Sequence, residues 1–184
     1  MLTGIYVPHS TQHRLLERYK LLPPETTEKV EALSIDGGNV RLRTPLGEES
    51  VWRNYKAVKL HGQVAAAFFQ NNGDLVAWVN SQLQSEVITC LGDGHDGVWN
   101  LFNQIGTTEQ RREVLDWYHL TENLNKVGGS LKRLRKVESQ LWQGSTVEAI
   151  AEFVGVRGKE SKNFQNYLRK HQSRIPNYQN YLAS

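Results

Sequence analysis

The stretch "SEVITCLGDGHDGVWNLFNQIG", residues 85–106, changes character at its centre. An apolar run, Val87-Ile88-Thr89-Cys90-Leu91, stops at Gly92-Asp93-Gly94. A pattern of helical period follows, with Val98, Leu101, Phe102 and Ile105 on one face. A buried strand that ends on a carboxylate between two glycines has two readings. Asp and Gly are ordinary turn residues. Open α/β sheets also place their chemistry just beyond the carboxyl ends of their strands.

Working outward, the chain before this stretch reads as β-rich. "EALSIDGG" predicts one strand, "NVRLRTP" a second with Val40, Leu42 and Thr44 alternating against Arg41 and Arg43, and "NYKAVKLHG" a third, with "VAAAFFQ" extending the sheet. Asp74 is a plausible N-cap for a helix through Gln84 that turns Leu75, Val76, Val79 and Leu83 inward. After the opening stretch, "RREVLDWYHL" predicts a further strand running into a helical pattern from about Thr121 to Gln143, interrupted at Gly128-Gly129. "STVEAIAEF" opens with Ser145 and Glu148 at capping-box spacing, and a last helix spans about Lys159 to Ile175. At the amino end, "HSTQHRLLERYKLL" reads as a short helix ended by Pro23-Pro24.

Strands followed by alternating helices and strands define an α/β class with a mixed sheet flanked by helices. The order is the one used by ribonuclease H-like domains, in which the first and fourth strands are neighbours. Asp36 ends the first predicted strand and Asp93 the fourth, so the two carboxylates are expected side by side. Close carboxylates repel, and a shared cation relieves the repulsion. Hard oxygen ligands suit Mg²⁺ or Mn²⁺, and a pair of such ions supports phosphodiester displacement. The bland alternative for "IDGGN" is a hairpin turn. Asp96 fits a helix N-terminus better than a ligand set. Asp116 and His119 in "LDWYHL" could bind metal or phosphate, or could start a helix. His61, His95 and His171 have no spacing that suggests zinc.

Bulk properties narrow the class. The chain of 184 residues is 39% hydrophobic and 22% charged, as expected for a domain with a real core. Its longest apolar run, Val64 to Phe69, is too short to cross a bilayer, and the opening residues carry no secretory pattern. One cysteine, Cys90, excludes a disulfide framework. A cytoplasmic protein is expected. Charge is uneven. Residues 126–184 hold 11 Lys/Arg and 4 Asp/Glu, a net of +7, against −4 for the rest. That asymmetry suits a polyanionic partner, or simply a solvated helical surface.

Three segments, "LSIDGGNVRLRTP", "TCLGDGHDGVWNLF" and "REVLDWYHLTENLNKVGGSLKRL", resemble bacterial insertion-sequence transposases of the ISKra type, a DDE group related to Mutator-like elements. The resemblance runs over nearly the whole chain from about Val7. It implies a ribonuclease H-like core that cuts and joins DNA with two Mg²⁺ (or Mn²⁺) ions. The family's first two catalytic, metal-binding aspartates fall on Asp36 and Asp93, and its Asp-x-x-His signature on Asp116 and His119. "GIYVPHSTQHRLLERY" looks like the end of a helix-turn-helix that presents Ser10, Thr11, Gln12 and Arg14 to DNA, its bland alternative being an arm packed on the core. The third catalytic Glu of the family has no match, and Glu148, Glu152 and Glu160 have the context of surface helix positions. The resemblance therefore implies a transposase shortened at both ends: a helix-turn-helix remnant at 1–24, a catalytic core at 25–125 and a basic helical insertion at 126–184. Such a chain would have little strand-transfer activity alone.

Two other functions compete. A non-catalytic DNA-binding protein could grip phosphates through Lys126, Lys132, Arg133, Arg135 and Lys136, joined by Arg157, Lys159, Lys162, Arg169 and Lys170. It could interfere with an intact transposase by occupying element ends or by forming mixed oligomers. Self-association is the other partner reading, and no membrane partner is expected. A nucleotide-binding domain using "GDGHDG" lacks both the dinucleotide glycine pattern and a Walker lysine.

Overall fold

The structure is a computed structural model that describes Pro8, Ser10, Thr11, Arg14 and residues 22–62, 64–82 and 84–181. Five strands form one mixed sheet: β1 (Val30–Arg41), β2 (Trp52–Leu60), β3 (Ala65–Phe69), β4 (Gln84–Gly92) and β5 (Arg111–Leu115). The strand order is β3-β2-β1-β4-β5. The first three strands are antiparallel, and β4 and β5 run parallel to β1. Among the described residues, seven helices lie between Asn72 and Tyr181: α1 (Asn72–Ser81), α2 (Asp96–Phe102), α3 (Trp117–Val127), α4 (Leu131–Trp142), α5 (Thr146–Ala151), α6 (Lys159–His171) and α7 (Tyr178–Tyr181). A 3₁₀ turn, Gln172–Arg174, joins the last two. The chain is thus α/β, with a five-stranded mixed sheet flanked by helices. None of the described helices is long and apolar enough to cross a membrane.

The first strand departs from the expectation. "EALSIDGG" and "NVRLRTP" are one continuous strand, paired with β2 from Leu33 opposite Leu60 to Arg41 opposite Trp52. "IDGGN" is therefore not a hairpin turn; the chain reverses later, where the Glu48 N–H donates to the Pro45 carbonyl and Gly47 has φ 90°. The glycines have a lateral cause instead. A Cβ on Gly37 would lie 2.8 Å from Cδ of Lys56, and one on Gly38 would lie 2.9 Å from the Tyr55 ring. "NYKAVKLHG" becomes β2 and "VAAAFFQ" the edge strand β3.

Helix starts follow local chemistry. The Asn71 side chain, not Asp74, caps α1 by accepting the Asp74 N–H at 3.0 Å, and Asp74 sits in the first turn. Leu75 and Val79 are buried, Val76 is half-buried, and Leu83 lies outside the described residues. The apolar face predicted for 98–105 is fully realised, with Val98, Leu101, Phe102 and Ile105 all buried. Gly128 (φ 66°) and Gly129 (φ 86°) separate α3 from α4, where the left-handed backbone favours glycine. Ser145 occupies the N-cap of α5 but makes no capping bond there.

One hydrophobic core runs from Val30 on β1 to Tyr178 on α7. On β4, Gly92 lies against the rings of Trp99 and Phe102 from α2. The carboxyl-terminal segment closes over the same region: the Arg174 guanidinium lies 4.3 Å from the Trp99 ring centroid, and its Nε donates to Glu113 Oε2 on β5 at 2.6 Å. The Tyr178 hydroxyl donates to the Leu115 carbonyl at 2.7 Å. Strand β5 is thereby tied to the helical end of the chain.

Candidate functional site

Parallel pairing of β1 with β4 ends at Ile35 opposite Gly92. The residue that follows on each side is a carboxylate, Asp36 within β1 and Asp93 just beyond the end of β4. Asp36 thus lies one residue past the parallel ladder and in the middle of the antiparallel one, opposite Ala57, so it is not at the strand end that the sequence predicts. Beyond β5, the N–H of Asp116 donates to the Gly92 carbonyl at 2.8 Å, which carries the third Asp to the same edge. Asp36, Asp93, Asp116, His119 and His61 all line one cavity of about 180 Å³ beside the middle of β1 and the carboxyl end of β4.

Each carboxylate commits one oxygen to nearby backbone. Asp36 Oδ1 accepts the Gly37 N–H at 2.6 Å, and Asp93 Oδ1 accepts the His95 N–H at 2.8 Å. Asp116 Oδ1 accepts the His119 N–H at 3.0 Å, capping α3, and also lies 3.0 Å from His119 Nδ1. Asp116 and His119 therefore pair with each other while facing the cavity, so the helix-start reading and the site reading coexist. Among the described residues, no group of three or more His, Cys, Asp or Glu is gathered tightly enough to hold a metal ion. The His61 N–H donates to the Ala32 carbonyl at 2.9 Å, which ties this lining residue to β1. Burial, then the Lys59 charge, lowers its pKa.

Helix α6 braces the Asp93 loop from one face. The Tyr167 hydroxyl donates to the Asp93 carbonyl at 3.4 Å, and Lys170 Nζ lies 2.5 Å from Asp96 Oδ1. His171 is fully buried, its ring 4.8 Å from that of Tyr167 and 5.9 Å from that of Trp99. Burial pushes the Tyr167 hydroxyl pKa up, and the charges of Asp93, Asp116 and Glu122 push it the same way. It stays a neutral donor. Lys170 holds the Asp96 carboxyl below its usual range. Gly94 has φ 95°, and a Cβ there would fall 2.6 Å from the Tyr167 hydroxyl, so the second glycine of "GDG" serves both the turn and the brace.

Sequence reasoning missed this brace, and it missed His61 as a lining residue. Tyr167, Lys170 and His171 sit at i, i+3 and i+4, a helical face that was legible; its target 74 residues upstream was not. Cys90 is buried, which pushes its thiol up to about 12 and makes it inert packing.

The basic residues divide. Lys126 pairs with Glu122 at 3.3 Å and Lys136 with Glu152 at 2.6 Å. Lys132 and Arg135 are exposed on α4 and Arg133 is half-buried. Arg135 borders an open groove of about 420 Å³ with Trp117 and Trp142. Ser10, Thr11 and Arg14 are helical, and Gln12 lies outside the described residues. Comparison with protein-family models, with curated proteins and with solved structures gave no match.

Proposed function

We propose that this chain is a DDE transposase-type core of ribonuclease H-like fold that acts on DNA phosphodiesters. The observation that carries the reading is the adjacency of Asp36 and Asp93 at the end of the parallel ladder, in one cavity with Asp116 and His119. The strand order, with an antiparallel trio continued by two parallel strands, is the order that fold requires. The resemblance of the three segments around these residues points the same way.

The donor set suits a hard divalent cation in part. Asp36 and Asp93 each keep one oxygen outside these backbone hydrogen bonds, and carboxylate oxygens are what Mg²⁺ and Mn²⁺ take. Such an ion would polarise the phosphodiester and lower the pKa of a bound water. The chain's own residues align and hold: the Gly37 and His95 N–H groups orient the two carboxylates, and α6 fixes the loop that carries Asp93. No third carboxylate completes the set among the described residues, and Asp116 is engaged with His119 and the α3 backbone. In-line geometry supplies most of this catalysis, so strand transfer by this chain alone is expected to be weak.

Added Mn²⁺ should broaden the amide resonances of Asp36, Gly37, Asp93 and Gly94 before those elsewhere. Broadening spread over surface carboxylates, with these four unaffected, would remove the catalytic reading. A purely DNA-holding role, with interference in transposition, would then be the better one; exposed Lys132 and Arg135 on α4 favour it.

A further inference from the structure

Next to the carboxylate cavity lies a second concavity, of about 330 Å³, lined by Gly37, Gly38, Asn54, Lys56, Asp93 and His95. Asp93 borders both spaces. On β1 and β2, Gly37 stands opposite Lys56 and Asn39 opposite Asn54. The absence of a side chain at Gly37 lets the Lys56 stem lie across the strand, with Nζ in the space a Gly37 Cβ would take. Lys56 is half-buried, and among the described residues its ammonium is in no ion pair or hydrogen bond. A half-buried cation in no ion pair is open to an anionic ligand, although Asp93 also borders the groove.

The other donors converge on the same demand. His95 Nδ1 accepts the Gly97 N–H at 3.1 Å, which turns the other ring nitrogen, Nε2, away from that bond. Nε2 is the ring nitrogen left for a ligand. Asn39 and Asn54 bring amide donors that are in no side-chain hydrogen bond among the described residues. Lysine, imidazole and carboxamides around a glycine floor suit a tetrahedral phosphate oxyanion. The bare floor lets a sugar–phosphate backbone approach closely.

We infer that this groove seats a phosphate of a bound nucleic-acid strand next to the one held at the carboxylates, with Lys56 as its main ligand. The inference rests on the phosphodiester reading of the Asp36–Asp93 cavity. A strand crossing the sheet edge past Asp93 would place consecutive phosphates in the two spaces, so Lys56 sets which bond reaches the carboxylates.

The test is an amide-resonance titration with the pentanucleotide (dT)5 in the presence of EDTA, so that no metal contributes. Saturable shifts are expected at Gly37, Gly38 and Asn39. Lys56→Gln should weaken the affinity read at those amides by about tenfold, as for a hydrogen bond to a charged group, while shifts on α4 persist. Lys56→Arg should hold the affinity within about threefold, since the charge is retained. The spectrum of each variant away from the groove reports its folding, and Lys56→Ala serves if Lys56→Gln is perturbed. Amides at 37–39 that stay still, or that shift equally in Lys56→Gln, overturn the inference. Failure of Mn²⁺ to broaden Asp36 and Asp93 would sink the catalytic reading without touching this result, which separates the two.

Discussion

Gly92 shows what a single residue contributes at the end of β4. A Cβ there would meet the Trp99 ring at 2.8 Å and the Phe102 ring at 3.1 Å, both in side chains held by the core. Gly92→Ala should therefore destabilise the protein by roughly 1–3 kcal/mol, the usual cost of overpacking, seen as a lower urea midpoint with an unchanged m-value. His171 makes a different contribution. Burial, then the charges of Arg174 and Lys170, lowers its pKa to about 4, with Asp96 and the Gly94 backbone acting weakly in the other direction. The unfolded state, with an ordinary pKa near 6.5, takes up the proton first as the pH falls. Stability linked to His171 is thus complete above about pH 6.5 and lost between there and about pH 4. The loss is on the order of 3 kcal/mol at most. Urea titrations at about pH 7 and about pH 4.5 should show a smaller pH effect in His171→Gln than in the parent. Equal pH effects in both proteins would contradict this account.

At the scale of elements, α6 is a brace for the loop that bears Asp93. Tyr167→Phe removes the hydroxyl contact to the Asp93 carbonyl and should speed hydrogen exchange of the His95 amide several-fold, with a stability change of less than about 1 kcal/mol. Lys170→Ala should leave stability nearly unchanged, because its partner Asp96 is exposed. The helices and the strand before "GDG" were legible because their apolar period is strong: Val98, Leu101, Phe102 and Ile105 turned inward as their spacing required. Strand β1 was not. Gly-Gly-Asn has the composition of a turn, and it is extended here because it pairs with Asn54, Tyr55 and Lys56 of β2, a tertiary cause with no local signature. Asp93 was legible as a strand-end residue because β4 does end at Gly92, whereas Asp36, expected at a strand end, lies inside β1, where only the pairing with β4 stops. The brace, the Lys56 groove and the engagement of Asp116 with His119 depend on side chains that meet only after folding.

Across the whole molecule, the charge is split while the core is shared. Residues 126–184 carry a net +7, yet Leu134, Leu168 and Tyr178 bury themselves in the same core as the sheet. The basic segment is therefore held in a fixed relation to the carboxylate edge. Lys126 and Lys136 are already paired, so under the proposed DNA-holding role the phosphate contacts fall to Lys132, Arg133 and Arg135. Replacing those three by Gln should reduce the slope of log affinity for duplex DNA against log salt by about 2–3, near 0.9 for each phosphate no longer neutralised. An unchanged slope would count against this surface as a DNA contact.

The central claim is that Asp36 and Asp93 act as a pair on one cation, and calorimetric titration with Mn²⁺ tests it most directly. The account predicts saturable binding to the parent chain that disappears in Asp36→Asn and equally in Asp93→Asn, with both variants still folded. Binding that survives either substitution, or no binding by the parent, would contradict it.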